Sequence, residues 1–247
     1  VYTFYIGAAI LILCVLFTTF NVKEMPPQEY AKFHGIDPDR KEEKAPGMLT
    51  LLKDAPKTFW TVGIVQFFCW AAFLYMWTYT NGAIAGTVWG TTDVSSEGYQ
   101  AAGNWVGVLF AVQAVGSMLW ALAIPKFKDI RRAYVVSLLI GAAGFASVFI
   151  IHNQYLLVVS FLLIGAAWAA MLAVPFTLLT NSLSGDHIGT YLGLFNGTIC
   201  IPQIAAAACG GFLLRFVGGA QVNMFLIAAA LLVLGALSVR FVNTNNN

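Results

Sequence analysis

Apolar stretches of about 20 residues recur along the whole of this 247-residue chain, and this feature constrains its fold more than any other. A stretch of that length, coiled as an α-helix, crosses a hydrocarbon core of about 30 Å. Only 10% of the residues are charged, whereas a soluble domain has about 25%, and the mean hydropathy is +0.77. The chain is therefore predicted to be an all-α membrane protein.

Seven spans are predicted from the apolar stretches. A β-barrel is excluded because its strands are about 10 residues long and alternate between polar and apolar side chains, which these stretches do not. The predicted spans are Tyr2–Phe20, Thr58–Tyr79, Trp105–Ile124, Tyr134–Ile151, Tyr155–Leu178, Tyr191–Leu214 and Asn223–Phe241.

Basic residues are concentrated in two of the connections between spans. Lys and Arg are retained in the cytoplasmic connections of membrane proteins, and the opposite connections contain only Arg215. The N-terminus is therefore predicted to lie outside and the C-terminus inside. The basic residues of the two connections are Lys23, Lys32, Arg40, Lys41, Lys44, Lys53 and Lys57, and then Lys126, Lys128, Arg131 and Arg132.

The order of the segments predicts part of a two-halved transporter. The chain begins with Val and enters a span at once, which favours a fragment over a natural start. Transporters of this kind bind substrate near the midplane, between two helical bundles. The predicted segments are residues 1–20, the last span of an N-terminal bundle; 21–57, a cytoplasmic interdomain loop; 58–242, a C-terminal six-helix bundle; and 243–247, a tail.

The candidates for chemistry within the spans are amide and aromatic side chains. A saccharide presents hydroxyls that pair with amides and C–H faces that stack on Trp, and it needs no ionic partner. In the second span Gln66, Trp70, Phe73 and Trp77 share one helical face, which joins an amide to three aromatic side chains. The predicted substrate-binding residues are Gln66, Trp70, Trp77, Gln113, Trp168, Asn196 and Gln203.

The same polar residues have a structural alternative, because Asn, Gln and Ser also hydrogen-bond between membrane helices. Gly189, Gly193 and Gly197, four residues apart, are interpreted as a close-packing stripe. No catalytic residue, metal, cofactor or nucleic-acid partner is predicted. The carboxylates and histidines lie in connections or at their edges, and the four cysteines have no close C-x-x-C pairing.

Three parts of the chain resemble the sucrose transporter family of the major facilitator superfamily, in particular its bacterial members. These parts are Ala173–Leu179 with Gly189–Asn196 and Ile201–Ile204, then Gln66–Asn81, and then Gly103–Gly107. The resemblance implies the C-terminal half of a twelve-helix glycoside–proton symporter of the bacterial inner membrane. One departure is Phe127, which stands at the acidic position of the superfamily's cytoplasmic signature.

The expected function is secondary active transport of a disaccharide, such as sucrose or maltose, by alternating access. Its partners are the sugar, the lipid bilayer and protons. The carboxylate that would carry the proton is expected in the N-terminal half that this chain lacks. A monomer is expected. The alternatives are an uncoupled facilitator or exporter of another neutral solute, and a sensor or scaffold built on a transporter fold. An enzyme is not expected, because clustered acids and an activated nucleophile are missing from the sequence.

Overall fold

The computed structural model describes residues 2–22, 26, 29, 32–33, 47–183 and 188–242, with side chains from residue 5 onward. Across these residues the secondary structure is helical, without a strand. The chain divides into two compact units, residues 1–48 and 49–247. Most of the predicted interdomain loop and the whole tail 243–247 lie outside the described residues.

The first unit contains helix α1, Tyr2–Asn21, which coincides with the first predicted span. The hydroxyls of Thr18 and Thr19 donate to the carbonyls of Cys14 and Val15, four residues earlier, so they are satisfied within the helix. The part of α1 whose side chains are described, Tyr5–Asn21, is a shorter apolar helix. Its role as a membrane span stays a prediction.

The second unit contains six helical segments that are long and apolar enough to cross a membrane. Their positions confirm six of the predicted spans and the all-α membrane class. The helices are α2 Met48–Lys53, α3 Lys57–Val88, α4 Glu97–Ala121, α5 Ile130–Ile150, α6 Leu157–Ser182, α7 Ile188–Phe195, α8 Gly197–Phe216 and α9 Asn223–Ser238. Short 3-10 turns, Ile124–Lys126 and Val239–Phe241, follow α4 and α9.

Several helix boundaries differ from the sequence prediction; α4, for example, begins at Glu97, eight residues before the predicted start at Trp105. Helix α3 continues nine residues past Tyr79, through a polar Thr-Asn-Gly sequence that looked like a connection. The Thr80 hydroxyl donates to the Met76 carbonyl, and the Gln221 side chain occupies the space that a Cβ on Gly82 would take. The sixth predicted span is interrupted at Asn196, which separates α7 from α8.

Helix α6 packs against α4 and α5 at glycines. A Cβ on Gly116 of α4 would lie 2.5 Å from the carbonyl oxygen of Leu162, and one on Gly144 of α5 would lie 2.8 Å from that of Ser160. Gly165 of α6 faces the backbone of α4 in the same way. Small residues allow membrane helices to approach this closely, so α6 packs tightly against both α4 and α5.

Consecutive long helices run antiparallel. Asn81, late in α3, lies beside Gly103, early in α4, and Phe59, early in α3, packs against Phe195 at the end of α7. At the start of α5, the Arg131 guanidinium donates to the Val242 carbonyl, 3.3 Å away, beyond α9. The basic segments around α2 and between α4 and α5 therefore lie at one end of the bundle, the basic end.

Asp129 begins α5 at the basic end. Its carboxylate accepts the backbone N–H of Arg131 at 2.9 Å and lies 3.5 Å from the guanidinium of the same residue. The backbone hydrogen bond, helped by the charge of Arg131, lowers the pKa of Asp129 below its usual value. The residue is thus an ionised helix N-cap.

Candidate substrate-binding site

Four aromatic side chains meet where α3 packs against α6, and we call them the aromatic cluster. They are Trp70, Phe73 and Trp77 of α3 and Trp168 of α6. The ring centre of Trp168 lies 5.1 Å from Phe73, 5.6 Å from Trp77 and 5.9 Å from Trp70. Aromatic pairs attract each other over these distances in tilted and edge-to-face geometries. The structure thus brings together three of the predicted site residues.

The aromatic cluster is buried at one end and open at the other. Trp70 is 7% exposed and Phe73 is fully buried, whereas Trp77 is 40% exposed. Phe73 is anchored from behind by Phe145 of α5, at a ring distance of 5.5 Å. An apolar surface is therefore held rigidly by the core and presented at Trp77.

Two polar atoms on the same side of α3 are buried without a hydrogen-bond partner among the described residues. They are Nε1 of Trp70 and Oδ1 of Asn81. An unpaired buried donor or acceptor costs about 1–3 kcal/mol, so such atoms need an explanation wherever they occur. One is a donor and the other an acceptor, and Trp77 lies between them along the helix. A ligand with both hydroxyl hydrogens and oxygens would satisfy this pattern once the packing around the two buried atoms opens.

Gln66 lies one turn before Trp70 but has a different environment. It is fully buried, its amide nitrogen donates to the Met171 carbonyl of α6, and its amide oxygen accepts the hydroxyl of Tyr134 of α5, both at 3.3 Å. The Tyr134 hydroxyl also contacts the Cys69 sulfur at 3.8 Å. In this structure the Gln66 amide joins three helices and is not available to a ligand.

The other three predicted site residues lie away from the aromatic cluster. Gln113 is a buried residue of α4 whose backbone carbonyl faces Gly165, one turn before Trp168. Asn196 is exposed at the break between α7 and α8, and Gln203 is partly buried on α8. Within the described part of the chain, the side chains of these three residues form no hydrogen bond to the cluster.

Asn81 was not among the predicted site residues, although a signal for it was present, and Phe73 was predicted only to share the helical face of Trp70 and Trp77. Residues 70, 77 and 81 are spaced by seven and four, which keeps them on one helical face. The prediction ended the span at Tyr79, and Asn81 was assigned to the following connection. The nine additional residues of α3 move that amide into the helix.

The electrostatic character of the site is neutral. In the six long helices, charged side chains occur only in the first or last turn, as with Glu97 of α4 and Arg215 of α8. Among the described residues no group of three or more His, Cys, Asp or Glu side chains is placed to hold a metal ion. The arrangement suits an uncharged ligand with apolar faces and hydroxyl groups.

The fold and the site together define a multi-pass α-helical membrane protein with a neutral, aromatic-rich candidate site between two of its helices. Comparison with known protein families finds no family model that matches the chain. Comparison with characterised proteins finds no significant sequence match.

Proposed function

We propose that this chain is the C-terminal bundle of a major facilitator superfamily transporter that moves a sucrose- or maltose-like disaccharide across the bacterial inner membrane. The observation that carries the proposal is the aromatic cluster, with its buried, unpartnered Trp70 donor and its half-exposed Trp77. Stacking on Trp and a hydrogen bond from the indole N–H recognise a sugar without any charge.

The spacing along α3 favours a ligand of two rings over one. Trp70 and Asn81 are 11 residues apart, which is about 16 Å along a helix axis at 1.5 Å per residue. A single ring that stacks on Trp77 does not reach both unpartnered atoms. A disaccharide lying along α3 accepts a hydrogen bond from Trp70 at one end and donates a hydroxyl to Asn81 at the other.

Proton coupling, in this proposal, belongs to a carboxylate outside this bundle. Intramembrane carboxylates are the usual proton carriers in transporters, and the mid-helix positions of the described bundle contain none. The same observation favours an uncoupled facilitator as the second candidate. In both cases this bundle binds the sugar and changes its packing against another part of the transporter.

Two features of the bundle support movement during alternating access. Helix α6 contains Pro175, seven residues after Trp168, and α8 contains Pro202, close to the break at Asn196. Proline inside a helix removes a backbone hydrogen bond and favours bending. Bending at Pro175 would displace Trp168 relative to α3 and change access to the aromatic cluster.

Uptake by vesicles that contain the intact protein tests the proposal. We expect accumulation of a radiolabelled disaccharide that rises with an inward proton gradient and exceeds that of a monosaccharide. Flux that is independent of the gradient would instead support the facilitator. Absence of flux for every sugar tested would refute the sugar assignment, and binding without flux would support the sensor or scaffold alternative.

A further inference from the structure

Helix α6 continues through a proline, and this leaves one of its backbone carbonyls without the usual donor. Pro175 is a buried residue inside Leu157–Ser182. Proline has no N–H, so the Met171 carbonyl, four residues earlier, lacks its α-helical hydrogen bond. Met171 is fully buried, and an unpaired carbonyl is costly inside a membrane protein. The carbonyl therefore needs a donor from outside its own helix.

Gln66 of α3 supplies that donor. Its Nε2 donates to the Met171 carbonyl oxygen at 3.3 Å. Because a carbonyl oxygen can only accept, the nitrogen of the amide, and not its oxygen, must face Met171. The amide oxygen accepts the hydroxyl of Tyr134 of α5, which holds the amide in this orientation. Gln66 is thus paired with the one α6 carbonyl that Pro175 frees.

The hydrogen bond between Gln66 and Met171 lies next to the aromatic cluster. Gln66 is about one turn before Trp70 along α3, and Met171 is about one turn after Trp168 along α6. The rings of Trp70 and Trp168 are in edge-to-face contact, with their centres 5.9 Å apart. The bond therefore ties together the two helices that form the cluster, at the point where Pro175 allows α6 to bend.

We propose that Gln66 is a positioning residue that acts as a latch: it holds α6 against α3 at the Pro175 bend and is released when α6 bends. In the bent conformation the Met171 carbonyl separates from the amide, and both lose a buried partner. A conformation that breaks a buried hydrogen bond is disfavoured. The latch thus stabilises the conformation described here, and its removal shifts the population towards the bent conformation.

A double-mutant cycle in unfolding tests the pairing of Gln66 with the carbonyl that Pro175 frees. In the intact wild-type protein, Gln66→Leu is expected to lower the folding equilibrium constant about thirtyfold. Pro175→Ala restores a backbone N–H for the Met171 carbonyl, so in that background Gln66→Leu should lower the constant only about fivefold. Pro202→Ala, at the buried proline of α8, is the matched control, and in that background the full loss should remain.

Spin-label distances across the bend test the latch itself, without any sugar. Labels at Lys57→Cys, the first residue of α3, and at Thr180→Cys, near the end of α6, occupy exposed positions at the basic end. The exposed native cysteines of the intact protein are first replaced by serine. Gln66→Leu should raise the population of a second, bent distance at least about fivefold. Adding Pro175→Ala should remove that population, and Gln203→Leu, at a partly buried amide of α8, should not raise it.

For sugar uptake the latch predicts a change in turnover and not in the Michaelis constant, and this part rests on the proposed function. Gln66→Leu should raise the turnover number per folded molecule about fivefold, because α6 bends more readily. Pro175→Ala should lower the turnover number and cancel the effect of Gln66→Leu. A role of Gln66 in packing alone would reduce the amount of folded protein and leave the turnover of each folded molecule unchanged.

Three results would overturn the latch. They are equal losses from Gln66→Leu in the wild-type and Pro175→Ala backgrounds, an unchanged spin-label distribution in Gln66→Leu, and unchanged turnover of Gln66→Leu in a protein that transports sugar. The first two do not depend on transport, so absence of sugar flux would refute the proposed function and leave the latch standing. Gln66→Met, which has the length of Gln without its amide, replaces Gln66→Leu in every test if the latter fails to fold.

Discussion

Two neighbouring parts of one face of α3 use polar groups in opposite ways. At Gln66 both amide atoms are paired, and the side chain is closed in by α5 and α6. From Trp70 to Asn81, two buried polar atoms have no partner among the described residues, and Trp77 is exposed. We call these parts the closed segment and the open segment.

The difference shows that a shared helical face does not mean a shared role. A buried amide with both partners stabilises the packing of three helices, and its removal leaves those partners unpaired. A buried polar atom without a partner costs free energy, which pairing with a ligand or a water molecule recovers. The closed segment is therefore assigned to stability and the open segment to binding.

The largest effect on stability is expected where α4 and α6 pack closely at Gly116 and Gly165. Gly165→Ala places a Cβ 2.6 Å from the Ser117 backbone nitrogen, and because the α4 atoms that it meets are backbone, which no side-chain movement can relieve, the helices must separate. We expect a loss of about 3 kcal/mol in the free energy of unfolding in mixed micelles. Gly107→Ala is the control, because its Cβ would meet nothing within 4 Å, and equal losses in both variants would contradict the close crossing.

Gln66→Leu tests the closed segment. The substitution removes the amide partner of the Met171 carbonyl and leaves the Tyr134 hydroxyl with only its contact to the Cys69 sulfur, and we expect the unfolding free energy to fall by about 2 kcal/mol. The Michaelis constant for sugar uptake by the folded protein should not change. Gln203→Leu, at a partly exposed amide, serves as control and should be nearly neutral for stability. A raised Michaelis constant with unchanged stability in Gln66→Leu would reverse the assignment.

Asn81→Leu tests the open segment and should give the opposite result. Removing an unpartnered acceptor leaves stability unchanged or raises it by up to about 1 kcal/mol. Sugar affinity should fall about tenfold, because the ligand hydroxyl then loses its acceptor. The comparison fails if Asn81→Leu destabilises the protein as strongly as Gln66→Leu, when both are measured in the same micelles.

Much of the fold follows from the sequence, because length and hydropathy alone locate six long helices. The extension of α3 past Tyr79 does not follow from hydropathy; there Gly82 packs against Gln221 from a distant turn, and such a contact cannot be read from local sequence. The different environments of Gln66 and Asn81 do not follow from the sequence either. Helical periodicity shows which residues share a face, but whether a neighbouring helix supplies hydrogen-bond partners depends on tertiary packing.

For a similar reason, the sequence does not show whether the glycines of α7 pack against another helix. Their four-residue spacing predicts a packing stripe, yet a Cβ on Gly189 or Gly193 would meet nothing within 4 Å among the described residues. Gly116, Gly144 and Gly165, which do pack closely, have no such regular spacing along one helix. Spacing therefore shows that a close approach is possible, and only the fold shows where it occurs.

The smallest effect is expected at Asp129, which lies outside both segments. Because its folded-state pKa is lowered, the carboxylate stabilises the protein above the unfolded pKa, near 3.9, and this contribution is lost as the pH falls through the folded pKa. A side chain that is one-third exposed contributes less than about 1 kcal/mol. Asp129→Asn keeps a capping oxygen without the charge.

The measurement for Asp129 is the thermal midpoint at pH 6 and at pH 3. The wild-type protein should lose slightly more stability on acidification than Asp129→Asn. A greater loss in the variant would contradict the sign of the pKa shift.

The central claim is that the open segment binds sugar, and equilibrium binding of a radiolabelled disaccharide to the purified intact protein tests it most directly. Trp77 supplies the exposed stacking surface, so Trp77→Phe should keep most of the affinity. Trp77→Ala should lower the affinity of the folded protein at least about tenfold, and it should also lower the unfolding free energy because the ring contacts with Trp168 and Phe73 are lost. Equal affinity in the wild-type protein and both variants would contradict the assignment of the aromatic cluster.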